Sequence, residues 1–248
     1  MVSIRARLTL RCPDGGRIFL PVDYNYLVQA AIYRSISREL ADFLHDEGFL
    51  FGGRRFKMFT FSRLEGRCVL DRNNKQFIYS GDVVLQISSP IEKFVEDLAS
   101  TVLSEGFINI GKQTLKVVEL AFPARPAMGG GKLEIRMLSP LTVYSTLMTR
   151  DGKKKTYYFS PYEREFSTLV NSNIKKKYLL LSGENNITSD LDIEPLMVKE
   201  VVVIYKGTVI KGWMGRFSLS GSKVLVETAY EAGLGAKNSQ GFGMFEVI

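Results

Sequence analysis

His45 is the only histidine among the 248 residues of the chain. An imidazole exchanges protons near neutral pH, so this side chain is the one best suited to general acid–base catalysis. A lone histidine excludes a ribonuclease site that works with two histidines, and it excludes any metal site built from several. Composition alone does not decide whether His45 is a catalytic residue or an ordinary surface or helix-capping residue.

The stretch GLGAKNSQGFGMFEVI at residues 233–248 contains several glycines with polar residues between them. Its glycines are Gly233, Gly235, Gly241 and Gly243, and Lys237, Asn238, Ser239 and Gln240 stand between them. Glycine has no β-carbon and tolerates positive φ, so such a loop can lie against the backbone of a bulky chain. All eight residues are therefore predicted to contact a nucleic acid. The structural alternative is a helix cap at Gly233 followed by a glycine loop into an edge strand.

Two nucleotide-binding motifs contain similar glycines, but neither of them fits this stretch. A dinucleotide fingerprint places its glycines between a strand and the helix that follows. Here a helix precedes the glycines and a strand follows them. A Walker loop ends in Gly-Lys followed by Ser or Thr, and GAKNSQGF contains no such pair.

The charge balance favours a polyanionic partner. Lys and Arg number 33 against 26 Asp and Glu, which gives a net charge of +7. Cys12 and Cys68 fit neither a zinc pattern nor a disulfide framework, so we interpret them as reduced thiols of a cytoplasmic protein. Neither a signal peptide nor an apolar run of about 20 residues is recognisable, so no membrane segment is predicted. We expect no metal and no cofactor.

The pattern of apolar residues predicts the same element order twice. SIRARLTL alternates as a strand does, and Asp23 or Asn25 could cap a helix whose apolar stripe runs from Val28 to Leu40. Two or more strands, a helix ended by Gly106 and a further strand follow. FPARPAMGGGK then predicts a linker. After it come strands, a helix opening at Pro161, a long hairpin, a helix ended by Gly233 and a last strand.

This order predicts an α+β protein of two tandem ferredoxin-like (βαββαβ) domains with antiparallel sheets, at residues 1–124 and 125–248. Helices would cover one face of each sheet and leave the other face open. Two such sheets side by side can form a basic cleft, which is a surface suited to nucleic acid.

The element order and the C-terminal glycine stretch resemble the CRISPR-associated endoribonucleases that process repeat RNA, members of the RAMP superfamily. The resemblance covers the whole chain and implies CRISPR repeat RNA as the partner, both as precursor and as product. Further candidate partners are other subunits of an interference complex or a second copy of the chain. Similar glycine loops occur in RAMP relatives that bind RNA without cutting it. The alternative functions are therefore a non-catalytic RNA-binding subunit and a ferredoxin-like scaffold that binds no RNA.

The N-terminal stretch YLVQAAIYRSISRELADFLHDEG, followed by KMFTFS, resembles the part of the family that carries the catalytic site. The resemblance implies Tyr33, His45 and Lys57 as catalytic residues. RNA supplies its own nucleophile, the 2′-hydroxyl, so cleavage needs proton transfer and charge stabilisation but no metal. The products would carry 2′,3′-cyclic phosphate and 5′-hydroxyl ends. Tyr33 could act as a base only if nearby cations lowered its pKa, and otherwise it would orient the 2′-hydroxyl.

Tyr33 and His45 would lie roughly 18 Å apart on one straight helix. They can share a site only if the helix breaks, and Ser37 before Arg38 could start a second helix. The continuous apolar stripe from Val28 to Leu40 favours one helix instead. Our hypothesis is two helices.

Four further cations are predicted to contact RNA phosphates: Arg54, Arg55, Lys211 and Arg216. The last two belong to KGWMGRF, which we interpret as a hairpin near the glycine stretch with Trp213 in the core. Lysine runs at residues 153–155 and 175–177 are interpreted mainly as solvated faces, the second near a helix C-terminus.

Overall fold

A computed structural model describes residues 5–128, 131–148 and 151–248 of the chain. The first half of the chain is built on one antiparallel sheet. The strands are β1 Arg5–Arg11, β2 Arg17–Pro21, β3 Phe49–Phe51, β4 Arg54–Phe56, β5 Thr60–Phe61, β6 Glu65–Asp71, β7 Gln76–Ser88, β8 Phe107–Ile110 and β9 Gln113–Ala121. The helices are α1 Asn25–Arg34, α2 Arg38–Asp42 and α3 Glu92–Glu105.

The four main strands lie in the order β9–β1–β7–β6, with β1 paired antiparallel to both β7 and β9. Alternate residues of β1 point into the core, where Leu8 and Leu10 are fully buried. Helix α3 adds Phe94, Leu98 and Val102 to the same core, and it ends at the position predicted from its glycine. Full burial of each such side chain stabilises the fold by about 1.5–3 kcal/mol.

The second half repeats this arrangement. Its elements are β10 Leu133–Met137, β11 Tyr144–Met148, β12 Lys154–Tyr158, α4 Arg164–Ser182, β13 Leu191–Tyr205, β14 Thr208–Gly221, α5 Lys223–Ala232 and β15 Phe245–Val247. The sheet order is β15–β10–β14–β13, which corresponds strand for strand to the first sheet. The predicted tandem ferredoxin-like fold is therefore confirmed, with the hairpin β11–β12 inserted after the first strand of the second unit.

The predicted start of helix α4 at Pro161 is wrong by three residues. Ser160 and Glu163 close a hydrogen-bonded turn on each other, so the helix begins only at Arg164. Two glycines of the predicted linker, Gly129 and Gly130, lie outside the described residues.

The hypothesis of two helices around Ser37 is confirmed. Helix α1 ends where the backbone N–H of Ser35 bonds to the carbonyls of Ala31 and Ile32. Ser37 is extended, with ψ of 145°, and its N–H bonds to Asp97 of α3 at 3.0 Å. The apolar stripe survives the break because Ile36 stays buried in the same core.

The predicted helix cap at Asp23 or Asn25 is wrong. Tyr24 occupies the cap position, and no side chain caps the first turn. The Asn25 amide instead donates a hydrogen bond to the carbonyl of Gln240, at 2.9 Å. It therefore links the first helix to the C-terminal glycine stretch.

Buried polar contacts join the two halves. The guanidinium of Arg5 donates to the carbonyls of Phe245 and Tyr230, at 2.9 and 3.0 Å, and lies 3.7 Å from the centre of the Tyr230 ring. Burial lowers the pKa of Arg5 to about 10. Thr60 donates to the carbonyl of Phe242 at 3.0 Å. Among the helices in the described ranges, none has the length and apolar character needed to cross a membrane.

Candidate active site

A cleft of about 610 Å³ lies between the two halves. One wall is the segment from Arg54 to Phe59, which includes β4 and Lys57. The opposite wall consists of the start of β11, one side of α4 and the segment from Ala236 to Gln240. Six of the predicted contact residues line this cleft: Arg54, Arg55, Lys237, Asn238, Ser239 and Gln240. The cleft is therefore bordered by cations contributed by both halves.

The structure brings together the three residues that the sequence suggests for catalysis. The rings of Tyr33 and His45 meet edge to face, with their centroids 6.1 Å apart. Lys57 belongs to the cleft wall, and its Nζ donates to the backbone carbonyl of His45 at 2.6 Å. The imidazole remains 76% exposed and can reach a bound substrate.

A π-helical turn at residues 43–47 orients His45. Its last residue is followed by Gly48, whose N–H bonds to the carbonyl of Phe43 and whose φ is 62°. A β-carbon on Gly48 would lie 2.8 Å from the carbonyl oxygen of Phe56 and 3.3 Å from Cδ of Lys57. Glycine at this position therefore lets Lys57 lie against the end of the turn that carries His45.

Asp46 is a member of the site that the sequence analysis missed. Its Oδ1 lies 2.6 Å from Nδ1 of His45. A carboxylate can only accept, so this contact favours the tautomer that carries the hydrogen on Nδ1 and leaves Nε2 open. Arg55 also donates to the backbone carbonyl of Asp46. The adjacency of histidine and aspartate was a visible signal, but the turn that brings the two side chains together was not.

The backbone beside Lys57 is held in a rare conformation. Met58 is buried with φ of 53°, a region that costs a non-glycine residue about 1–3 kcal/mol. Ser89 donates to the Met58 carbonyl at 2.7 Å and so helps to fix this geometry. Partial burial, followed by repulsion from Arg55, lowers the pKa of Lys57.

The environment of Tyr33 decides between its two suggested roles. Burial, together with a smaller effect of Tyr205, raises the pKa of Tyr33 to about 12. Within the described residues no cation lowers this pKa, so the hydroxyl keeps its proton at neutral pH. Tyr33 can orient or donate to a substrate oxygen, whereas a role as general base is disfavoured.

The four glycines of the glycine loop, defined here as residues 233–243, face the protein itself. All are buried and all have positive φ. A β-carbon on Gly235 would lie 2.6 Å from the Thr142 carbonyl oxygen, and one on Gly241 would lie 2.5 Å from the Phe61 ring. These close neighbours explain the glycines within the fold itself, and the predicted contact of the loop with a nucleic acid stays a prediction.

Asn238 is also committed to the interior. Its amide donates to the carbonyls of Leu234 and Phe242, at 2.8 and 3.0 Å, and its Oδ1 accepts from Lys177. These bonds hold the side chain within the loop, and its predicted RNA contact stays a prediction. Lys237 and its neighbours Ser239 and Gln240 remain at the cleft surface, with Lys237 Nζ 5.0 Å from the centre of the Tyr144 ring.

The segment KGWMGRF belongs to a long hairpin, as predicted, and forms part of its second strand, β14. Lys211 pairs with Glu200 at 3.0 Å, and Arg216 pairs with Glu134 at 2.7 Å. Neither cation is among the residues that line the cleft. Trp213 packs against the second core, as predicted.

The two lysine runs differ in exposure. Residues 153–155 are exposed at hairpin β11–β12, in agreement with the interpretation as a solvated face. In the second run Lys175 pairs with Asp190, at 2.6 Å, but Lys177 is buried. The interpretation of the run at 175–177 as a solvated face is therefore wrong for Lys177.

We predict that Gly243→Ala lowers the melting temperature more than Gly53→Ala. The two glycines have nearly the same φ, 79° and 77°, so both variants carry a similar backbone cost of about 1–3 kcal/mol. Only at Gly243 would the new β-carbon overlap another group, the carbonyl of Leu234, whereas Gly53 faces open space. Thermal unfolding of both variants measures the difference, and equal melting temperatures would contradict the internal packing argument.

Family models match both halves of the chain. The model for the C-terminal part of the CRISPR-associated protein Cas6 matches residues 124–247, and the model for the N-terminal part matches residues 19–121. The chain is 28% identical over 249 residues to CRISPR-associated endoribonuclease Cas6 1 of Methanocaldococcus jannaschii, covering 96% of this chain and 91% of that protein. It is 26% identical to CRISPR-associated endoribonuclease Cas6 of Pyrococcus furiosus, covering 94% and 86%.

Solved structures agree with these matches. A structure described as CRISPR associated protein Cas6 superposes with a TM-score of 0.80 at 27% identity, covering 99% of each chain. A second, described as a RAMP protein binding different RNA substrates, has a TM-score of 0.81 at 25% identity and covers 98% of this chain and 99% of that one.

Proposed function

Because the chain belongs to the Cas6 family of CRISPR-associated proteins, we propose that it is an endoribonuclease that cuts CRISPR precursor RNA within its repeats and so generates guide RNAs. The observation that carries this proposal is the meeting of Tyr33, His45 and Lys57 at the edge of a cleft bordered by cations. A protein that only binds RNA has no need of this group.

The reaction is an internal transesterification. The 2′-oxygen attacks the adjacent phosphorus, the bond from phosphorus to the 5′-oxygen breaks, and the products carry a 2′,3′-cyclic phosphate and a 5′-hydroxyl. One proton leaves the 2′-hydroxyl and one is delivered to the 5′-oxygen. The imidazole of His45 performs one of these transfers through Nε2, and water completes the other.

The remaining groups stabilise and orient the substrate. Lys57 supplies positive charge to the phosphorane, which carries more negative charge than the ground state. Tyr33 orients the 2′-hydroxyl, in keeping with its raised pKa. Asp46 keeps the imidazole in the tautomer whose Nε2 faces the substrate. These residues account for the reaction without a metal or a cofactor.

We assign the repeat RNA, as precursor and as product, to the cleft. Arg54 and Arg55 on one wall and Lys237 on the other provide the phosphate contacts. Phosphate contacts position the strand, while specificity requires contacts to bases. The same proposal includes association with subunits of an interference complex or with a second copy of the chain. It also includes a cytoplasmic location. Light scattering with and without RNA tests the oligomeric state.

We predict that the purified protein cleaves a repeat RNA in EDTA at one position per repeat. The reacting groups belong to the RNA and to the chain, so chelation leaves the rate unchanged within about twofold. End-group analysis should find cyclic phosphate on the upstream product and hydroxyl on the downstream one. Tight binding without cleavage would favour the rival function, a non-catalytic RNA-binding subunit, and a strict requirement for Mg²⁺ would contradict the mechanism.

A further inference from the structure

Lys177 is the most deeply buried lysine side chain next to the cleft. Only 2% of the residue is exposed, although a lysine is among the residues least often buried. Its Nζ donates to the carbonyl of Gly233 at 2.6 Å, to that of Gly235 at 3.3 Å and to Oδ1 of Asn238 at 2.6 Å. An ammonium group has three protons, and each has an acceptor here.

The acceptors of Lys177 belong to the glycine loop. Asn238, one of the three, uses its own amide to bond the carbonyls of Leu234 and Phe242. The pair of Lys177 and Asn238 therefore closes the loop on itself from the inside. The outer side of the same loop carries Lys237 into the cleft.

Packing alone does not explain a lysine at this position. Burial lowers the pKa of Lys177 to about 7, because removal from water disfavours the charged form. An apolar residue of similar volume would fill the same space, and such replacements of buried charges are often neutral or stabilising. A lysine supplies what an apolar residue cannot, namely three directed hydrogen bonds to one loop.

We propose that Lys177 is a positioning residue for RNA binding, whose three hydrogen bonds hold the glycine loop in the shape that presents Lys237 to the RNA phosphates. The role assigned to Lys177 is indirect: it lines the cleft, but its side chain is buried and all three protons of its ammonium group have acceptors in the loop. The inference rests on the proposed function, since it concerns how the same cleft binds its substrate.

The test compares Lys177→Met with Lys175→Met in the full chain. Both variants remove one charge from α4, but Lys175 pairs with Asp190 and does not line the cleft. The ligand is a repeat RNA with a 2′-deoxy substitution at the cut, so that affinity is measured without cleavage. We expect Lys177→Met to weaken binding about tenfold and Lys175→Met to weaken it less than about twofold.

Three further readouts separate positioning from general loss of structure. The slope of log affinity against log salt concentration should become shallower in Lys177→Met by the amount that corresponds to about one phosphate contact. The same change is expected in Lys237→Ala. The double variant Lys177→Met/Lys237→Ala should bind about as well as Lys177→Met alone, because both changes remove the same contact. The single-turnover rate at saturating unmodified RNA should stay within about threefold of the wild-type rate.

Wild-type affinity and salt dependence in Lys177→Met, or additive effects in the double variant, would overturn the inference. If Lys177→Met does not fold, Asn238→Ala opens the loop from its other side and should show the same loss of affinity and of salt dependence. Normal binding by folded Asn238→Ala, or failure of both variants to fold, would reduce Lys177 to a structural residue. Absence of RNA binding by the wild type would instead contradict the proposed function itself.

Discussion

A repeat RNA with a single 2′-deoxy nucleotide immediately 5′ of the cut is expected to bind normally and to resist cleavage. The nucleophile of the proposed reaction is that 2′-oxygen, and no residue of the chain replaces it. We expect the rate to fall by more than about 10⁴-fold, to the limit of detection. Denaturing gels of single-turnover reactions measure the rate, and a filter-binding titration measures the affinity.

The matched control places the deoxy substitution one nucleotide further downstream. That substrate keeps the nucleophile and should be cleaved within a few-fold of the normal rate. Cleavage of the first substrate at an unchanged position would mean that water attacks the phosphorus directly. In that case the products would lack the cyclic phosphate, and the roles assigned to Tyr33 and Lys57 would not hold.

The substitution His45→Ala is expected to slow cleavage by about 10²–10⁴-fold, which is the usual contribution of one proton-transfer group. RNA affinity should change little, since the cations of the cleft are unaffected. The contact from Lys57 goes to the backbone carbonyl of His45 and is available in the alanine variant. The loss therefore reports on the imidazole alone.

Glu47→Ala is the control for this variant, because Glu47 is an exposed residue of the same turn and takes no part in the proposed reaction. It should retain the wild-type rate. Unchanged cleavage by folded His45→Ala would refute the assignment of His45. Equal losses in the two variants would show that disturbance of the turn, and not loss of the imidazole, explains the effect.

The fold could be predicted from the sequence because each half carries local signals for its elements. In β1 buried and more exposed residues alternate, and in α3 the apolar residues Phe94, Leu98 and Val102 are four positions apart. Each of these patterns is visible within a few neighbouring residues. The break at Ser37 was harder to predict, since Ile36 keeps the apolar stripe continuous on both sides of it. Only the tertiary contact between Ser37 and Asp97 distinguishes the two cases.

The function of the glycines could not be predicted, because the sequence does not tell which surface a bare backbone approaches. The neighbours of Gly235 and Gly241 are Thr142 and Phe61, which are distant in the chain. A glycine-rich loop that makes room for a ligand and one that makes room for another part of the fold look the same in the sequence. Composition therefore predicted the loop, whereas the packing that requires its glycines is visible only in the fold.

Lys177 could have been recognised from the phase of its helix. The buried residues of α4 are Phe166, Val170, Ile174 and Lys177, at spacings of four, four and three. This is the stripe that faces the core of a surface helix, and Lys177 continues it. The run of three lysines suggested a solvated face, but position on the helix outweighs composition. Asn25 had no comparable signal, since its partner Gln240 lies 215 residues away.

The cleft takes one wall from each half, so a strand of RNA that contacts both walls binds only the form in which the halves are docked. Binding is thereby linked to docking, and RNA at 100 times its dissociation constant would stabilise the docked form by about 2.7 kcal/mol. The cleaved product would keep its phosphates, and hence most of the contacts proposed for Arg54 and Lys237. The same linkage would then oppose product release, so the proposal predicts that multiple turnover is slower than the single-turnover rate.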